Sequence, residues 1–501
     1  MKITIHNLGP IKDCVIEPSN FTVLMGEQAS GKSTIAKCVY FFSTIKDDIC
    51  DALLKNQSLK SEELKEILRN KLKRLFGTIM SNNFDIELEC IYADGISVKI
   101  NYSLDYLLKE VKSKTETIQE KINKFAKIYK IDSISFPNNQ KSYLNIINNN
   151  NKIDKEFTSL SKQIDEIYSL LTNMQPLADA YFKNKKKNDI YESIEFKNLM
   201  LFVGPNILFS TQLENKLNQN GFTGDKDTLQ KQIDDFFQDE YKTVFIPAGR
   251  CLEAQMSRQL SYLYASMGDE LKNALDYTTQ KFIEMVFFCR IALKNGIEGF
   301  STLSSSWIKE IEKLIKGRYV CTSDDDERLY LPDEPLQGGK YILFHLASSG
   351  QQEVAWLLNI IAYYLDVYNR TGGKTMFIIE EPETHLYPAA QKKLMELLAF
   401  VANQSQNFFI TTHSPYVLGS LNNLLYAANQ PKRLKKKIAE IIPEKYQLKK
   451  IDAFYLKNGG MEAAIDNDMK PLIENGLIDD ASHELNDEID RMIDLKYRKE
   501  Q

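Results

Sequence analysis

At 501 residues the chain is too long for one ordinary core, and its 43% hydrophobic and 26% charged residues fit a globular protein of about two to four structural units. A net charge of −5 excludes a polycation, so any contact with nucleic acid needs a local basic patch. The seven cysteines are scattered singly, with no CxxC pair and no histidine cluster beside them, which excludes a disulfide framework or zinc site and reads as small buried hydrophobes in a reducing compartment.

KITIHNL, at residues 2–8, alternates as a strand does and has no secretory apolar region. FTVLM is a short apolar run that ends at Gly26, and a helix is predicted from Lys32 to about Phe42. Between them stands Gly26-Glu27-Gln28-Ala29-Ser30-Gly31-Lys32-Ser33-Thr34, a phosphate-binding loop in the strand–loop–helix setting such a loop requires. Its glycines let backbone N–H groups turn around phosphate oxygens, and the helix start adds partial positive charge. Lys32 is expected on the β- and γ-phosphates and the Ser33 hydroxyl on Mg²⁺. Farther on, FDIELECIYADGISVKINY predicts a hairpin turning at Asp94-Gly95.

From Leu104 to Phe182 the composition shifts to Lys, Glu, Asn and Ile, and apolar residues fall at heptad spacing in two stretches. Val111, Ile118, Ile122, Phe125 and Tyr129 form one seam; Ile153, Phe157, Leu160, Ile164, Ile167 and Leu171 form the other. The pattern predicts a helical hairpin with arms roughly 30 Å long. Two packed helices of an ordinary helical subdomain would carry the same spacing.

KTVFIPAGR reads as a strand that ends in Arg250, placing that arginine near the nucleotide, near an interface, or in a structural ion pair. A long helical stretch is predicted from about Glu253 to Asn295, a helix at WIKEIEKLIKG, a hairpin at RYVCTSDDDERLYLP and a strand at KYILFHL. SSGQQEVAWLLNIIAYYLDVY predicts a helix whose start, at Ser348, Ser349 and Gly350, is a second anion-ready terminus. Its apolar run, Val354 to Leu365, is shorter than the roughly 20 residues of a spanning helix. A cytoplasmic chain with no membrane partner is the expectation.

FIIEEPE is a buried strand that closes in two carboxylates. Glu380 is expected to hold Mg²⁺, and Glu381 to polarise the attacking water as general base. ITTHSP follows another apolar strand, and its His413 is placed to sense the γ-phosphate and orient that water. Strands alternating with helices imply a parallel sheet covered on both faces.

In this order, the phosphate loop, SSGQQ, EEPE and TTHS resemble the head of an ABC-type ATPase. They are most similar to the OLD and Rad50/SMC-like branch of AAA ATPases, which includes ATPase subunits of bacterial antiphage systems such as Septu, PARIS and retron-associated modules. The match is tight over residues 1–45 and 340–420. The resemblance implies an α/β fold, a P-loop ATPase head with a mixed sheet and an antiparallel β subdomain, interrupted by the helical hairpin. The expected division is an N-terminal part of the head at 1–103, the hairpin at 104–182, a mixed connector at 183–300, a C-terminal part of the head at 301–430 and a tail at 431–501.

The resemblance also implies that Gly26 to Thr34 bind ATP with Mg²⁺, and that Ser349, Gly350 and Gln351 contact the γ-phosphate bound by another subunit. Catalysis would fall to Lys32, Glu381 and His413, while Thr384 and His385 would lie in the subunit-communication loop. The signature differs from the LSGGQ of transporter ATPases, and the first acid is Glu where many heads have Asp. Beyond His413 the sequence shows a short strand pair and an acidic helix and no acidic metal cluster, so no nuclease activity is assigned.

The leading expectation is a slow, homo-oligomeric ATPase of a prokaryotic antiphage module, holding a separate effector such as a nuclease. One alternative is a DNA-maintenance ATPase like Rad50, SMC or RecF, with KNKKK at 183–187 and PKRLKKK at 431–437 as candidate DNA contacts. Another is a nucleotide-gated scaffold with little turnover.

Overall fold

Phe21–Gly26 is buried at every position, as a strand covered on both faces must be. The computed structural model describes residues 1–77, 85–93, 95–102, 106, 204–250, 266–268, 275–322, 326–466 and 472–473. The predicted helical hairpin and its two seams lie outside the described residues.

The chain opens with β1 (Lys2–Leu8), β2 (Ile11–Ile16) and β3 (Phe21–Gly26), then α1 (Lys32–Ser43), α2 (Ile45–Lys55) and α3 (Ser61–Phe76). It returns as β4 (Ile86–Ala93) and β5 (Ile96–Tyr102), followed by β6 (Asn206–Phe209), α4 (Thr211–Asn218), α5 (Lys226–Phe237) and β7 (Tyr241–Ile246). α6 (Tyr277–Ala292), α7 (Ser305–Ile315), β8 (Arg318–Cys321), β9 (Glu327–Tyr330) and β10 (Tyr341–Leu343) precede the long α8 (Ser349–Thr371). Last come β11 (Lys374–Glu380), α9 (Pro388–Ala402), β12 (Asn407–Thr412), α10 (Pro415–Ala428), α11 (Lys435–Ile441), β13 (Asp452–Lys457) and β14 (Gly460–Ala463).

Among the described residues the central sheet has six strands, in the order β14-β13-β3-β12-β11-β7. Every pair in it is parallel except the β13–β14 hairpin. Alternate side chains of each strand feed two apolar layers. Leu24, Met376, Ile378 and Phe409 pack with α1 and the antiparallel β sheet; Val23, Met25, Phe377, Ile379, Phe408 and Ile410 pack with α8, α9 and α10. The antiparallel subdomain is β2-β1-β4-β5-β6, and a small sheet, β10-β9-β8, stands apart from both.

Several segments differ from the sequence reading. β13, within the expected tail at 431–501, pairs with the phosphate-loop strand, and the expected connector at 183–300 supplies β6 and β7 to the two large sheets. KYILFHL is a strand only at Tyr341–Leu343 and then tightens into a 3₁₀ turn over Phe344–Leu346, because Phe344 is drawn into the core beside Trp356. The described part of the helix expected over 253–295 starts afresh at Tyr277, where the Asp276 carboxylate accepts the N–H groups of Thr278 and Thr279. No helix among the described residues is long and apolar enough to cross a membrane.

Candidate functional site

Parallel register brings the candidate residues to one edge of the sheet. Leu456 faces Gly26, Thr412 faces Met25 and Thr411 faces Glu380, so the C-terminal ends of β13, β3, β12 and β11 finish together. An open parallel sheet binds its ligands at that edge.

The phosphate loop takes a shape that glycine alone permits at two positions. Gly26 has φ 150° and Gly31 φ 104°; a Cβ at Gly26 would lie 2.8 Å from the Leu456 carbonyl oxygen, and one at Gly31 2.4 Å from Ile11 Cδ1. Gly31 caps α1 without a side-chain hydrogen bond, so the first-turn N–H groups have no capping partner of their own. Glu27, Gln28 and Ala29 are exposed at the loop tip, Ser33 is exposed and Thr34 is buried, while the buried Ser30 Oγ has no hydrogen-bond partner among the described residues. Lys32 is buried and spans the loop, its Nζ donating to the carbonyls of Gly26 at 2.8 Å and Glu27 at 2.7 Å. Burial lowers its pKa, and the carboxylates of Glu381 and Glu383 oppose the shift.

Glu380 ends β11 and is buried. Burial raises its pKa, and the Ser33 hydroxyl works against that rise. Its Oε1 has no hydrogen-bond partner among the described residues. An orphaned carboxylate oxygen beside a serine hydroxyl and a phosphate loop is a donor set suited to Mg²⁺.

The next residue reverses direction. Glu381 has φ 43°, the left-handed region that non-glycine residues rarely occupy. This twist lets adjacent residues of a strand end share one site. Its N–H donates to the Thr411 carbonyl at 3.0 Å, and its Oε1 lies 3.5 Å from His413 Nδ1. The two groups favour each other's charged form: His413 holds Glu381 below the usual carboxylate value, and Glu381 lifts His413 above the usual imidazole value, with Glu383 adding to the lift.

Sequence spacing assigns no role to Glu383, yet it fixes this corner. It is buried, and its Oε1 accepts the Thr412 hydroxyl at 2.6 Å and the His413 N–H at 3.1 Å. Burial raises its pKa, and those hydrogen bonds oppose the rise. The clue was present as the last acid of EEPE, but nothing in its spacing names Thr412 as partner.

The signature stretch lies at the start of α8. Ser348 and Gln351 form a capping box, and Ser348 and Ser349 are exposed. Gln351 also donates to the Ile315 carbonyl at 3.0 Å, so its side chain is turned into its own chain, unlike the outward contact expected of it. A Cβ on Gly350 would lie 2.6 Å from the His385 carbonyl oxygen, so the signature glycine packs on the Thr384–His385 loop. Thr384 closes that loop over Glu381, its hydroxyl donating to the Glu381 carbonyl at 2.8 Å. Among the described residues, the side-chain hydrogen bonds of Ser348 and Gln351 run to Ile315 and within their own turn, and Gln352 donates to the carbonyls of Phe344, His345 and Ala347. The structure thus gathers Lys32, Ser33, Glu380, Glu381 and His413, and leaves Ser349 and Gly350 outside that group.

Arg250, undecided in sequence, is fully buried and ion-paired, with Nε 3.0 Å from Glu353 Oε2.

A mixed sheet with a phosphate loop on a central strand, paired acids two strands away, a histidine between them and an antiparallel β subdomain defines the head of an ABC-type P-loop ATPase. A family model for the AAA ATPase domain matches residues 1–418, and the chain belongs to that family. Solved structures similar to it include an SMC head bound to the C-winged helix domain of ScpA, with 12% identity over 92% of this chain and 95% of that chain at a TM-score of 0.36. The SMC head domain from Thermotoga maritima shows 10% identity over 92% and 97% at a TM-score of 0.33. An SMC head with a coiled coil and joint derived from Pyrococcus yayanosii shows 12% over 92% and 96% at 0.33. No curated protein matches the chain.

Proposed function

We propose that this chain is the ATP-binding and ATP-hydrolysing subunit of a prokaryotic antiphage defence module in the cytoplasm, where two heads sandwich ATP and control a separate effector, a nuclease. The observation behind the sandwich is the start of α8, where Ser348 and Ser349 are exposed and Gly350 is half-buried, while the chain's own phosphate loop is served by Lys32. A second anion-ready terminus beside one complete loop suits a phosphate held by a partner head. The defence role and the effector follow from the motif resemblance.

Gly26 to Thr34 cradle the triphosphate, with Lys32 exchanging a loop carbonyl for a phosphate oxygen. Ser33 and Glu380 would hold Mg²⁺, which would neutralise charge on the triphosphate. Glu381, kept ionised by His413, accepts the proton of the attacking water, and His413 donates toward the γ-phosphate. The side chains of Glu381 and His413 are 33% and 54% exposed, so a lone head leaves the reaction in bulk water. Covering by a second head excludes that water, and turnover by a single head is slow.

The test is Glu381→Gln, tagged, expressed in the native host and purified with ATP and Mg²⁺. Binding is expected to persist while turnover falls on the order of 10³-fold, trapping the two-head state with a stoichiometric second protein attached. A bare monomer under these conditions would overturn the sandwich.

A second reading, a DNA-maintenance clamp, is favoured by one feature: Lys432, Arg433, Lys435, Lys436 and Lys437 are all exposed. The other candidate basic run, at 183–187, lies outside the described residues. Recovery of nuclease-sensitive DNA without a second protein, together with steeply salt-dependent DNA binding, would select this reading.

A further inference from the structure

A guanidinium keeps its charge at any pH a protein meets, so full burial of Arg250 demands partners on every side. Three elements supply them. Nε lies 3.0 Å from Glu353 Oε2 on α8. One terminal nitrogen donates to the carbonyls of Pro247 at 2.7 Å, just past β7, and Glu380 at 2.8 Å, while the other reaches the Glu381 carbonyl at 3.1 Å. Glu353 is itself buried, and its Oε1 lies 3.7 Å from Nδ1 of His385, in the loop packed on Gly350.

Glu353 stands about one helical turn beyond Ser349, so a rigid-body shift of the α8 start must carry it along. The far end of the ion pair holds the peptide on either side of the strained turn at Glu381. That backbone has three anchors on one carbonyl, Arg250 and the hydroxyl and N–H of Thr384, and its left-handed φ sets where the carboxylate points.

We propose that Arg250 and Glu353 form a strut that transmits engagement of the α8 start by a second head to the backbone of Glu381, re-aiming the carboxylate for water attack. They are positioning residues for hydrolysis. The inference rests on the reading of Glu381 as base and of α8 as the surface that meets a partner's phosphate.

Arg250→Lys keeps the charge but removes the fork that holds one carboxylate and the Glu380 and Glu381 carbonyls together. In the full chain with ATP and Mg²⁺, kcat is expected to fall on the order of 10- to 100-fold, with affinity for a fluorescent ATP analogue staying within about threefold. ATP-driven dimerisation persists in the Glu381→Gln background, and the rise of turnover with protein concentration is lost. Unchanged kcat, or affinity falling in step with kcat, overturns the strut. If Arg250→Lys does not fold, Glu353→Gln, which preserves shape, is measured in its place, and the same two outcomes overturn the strut. Glu381→Gln alone separates the two levels. Wild-type turnover in that variant removes the base and the strut together; loss of turnover there with normal turnover in Arg250→Lys removes only the strut.

Discussion

Two helices in this head begin at phosphate-ready termini, and they begin differently. α1 is capped by Gly31, with no side-chain hydrogen bond, in a loop whose glycines admit no Cβ. α8 is capped by its own Ser348 and Gln351 in a reciprocal box, and Ser348 and Ser349 are exposed. The first-turn N–H groups of α1 have no side-chain cap, whereas at α8 the box takes up the N–H groups of Ser348 and Gln351. On the proposed reading, the contrast separates a site that would bind phosphate alone from a surface that would meet phosphate only when another molecule presents it.

The strongest way to break this contrast is Lys32→Ala, which removes the charge over the α1 loop. Nucleotide affinity of the chain should fall by about 100-fold, measured by calorimetry. Equal affinity would place the nucleotide elsewhere. Gly350→Ala should do the reverse, because the added Cβ meets the His385 backbone and displaces the loop beside α8. Affinity should hold while ATP-driven dimerisation and turnover fall on the order of tenfold; a matching loss of affinity would mean the two starts are not separable.

The smallest effect is in pH. His413 faces Glu381, Glu383 and Lys32, and its pKa is raised above 6.5, chiefly by Glu381. A raised folded value means that the stabilisation gained by protonated His413 is complete below about 6.5 and is lost as pH rises through the folded value. Turnover should therefore decline on the order of two- to fivefold on the alkaline side, and His413→Gln should flatten that limb while leaving nucleotide affinity in place. An unchanged alkaline limb in the variant would remove His413 from the reaction.

Local features are legible in the sequence, and long-range partnerships are not. The phosphate loop, the β4–β5 hairpin and the ends of β11 and β12 are legible because glycine spacing, turn chemistry and apolar runs act over a few residues. KYILFHL misleads because its alternation suits a strand, while the demand to bury Phe344 against Trp356 breaks it after three residues. The expected tail misleads because a short strand carries no mark of its partner, and only the sheet shows β13 beside the phosphate loop.

The residues of the site divide the same way. The sequence alone named the phosphate loop, the two acids and the histidine, since each follows a strand and each carries its chemistry in its own side chain. Only the tertiary structure decided that Glu381 turns through a left-handed backbone to meet His413, that Glu383 pins the histidine loop, that Gln351 faces inward and that Arg250 pairs with Glu353. The physical reason is burial. A charge or carbonyl removed from water must find its partner wherever the fold brings one, and sequence spacing does not encode that distance.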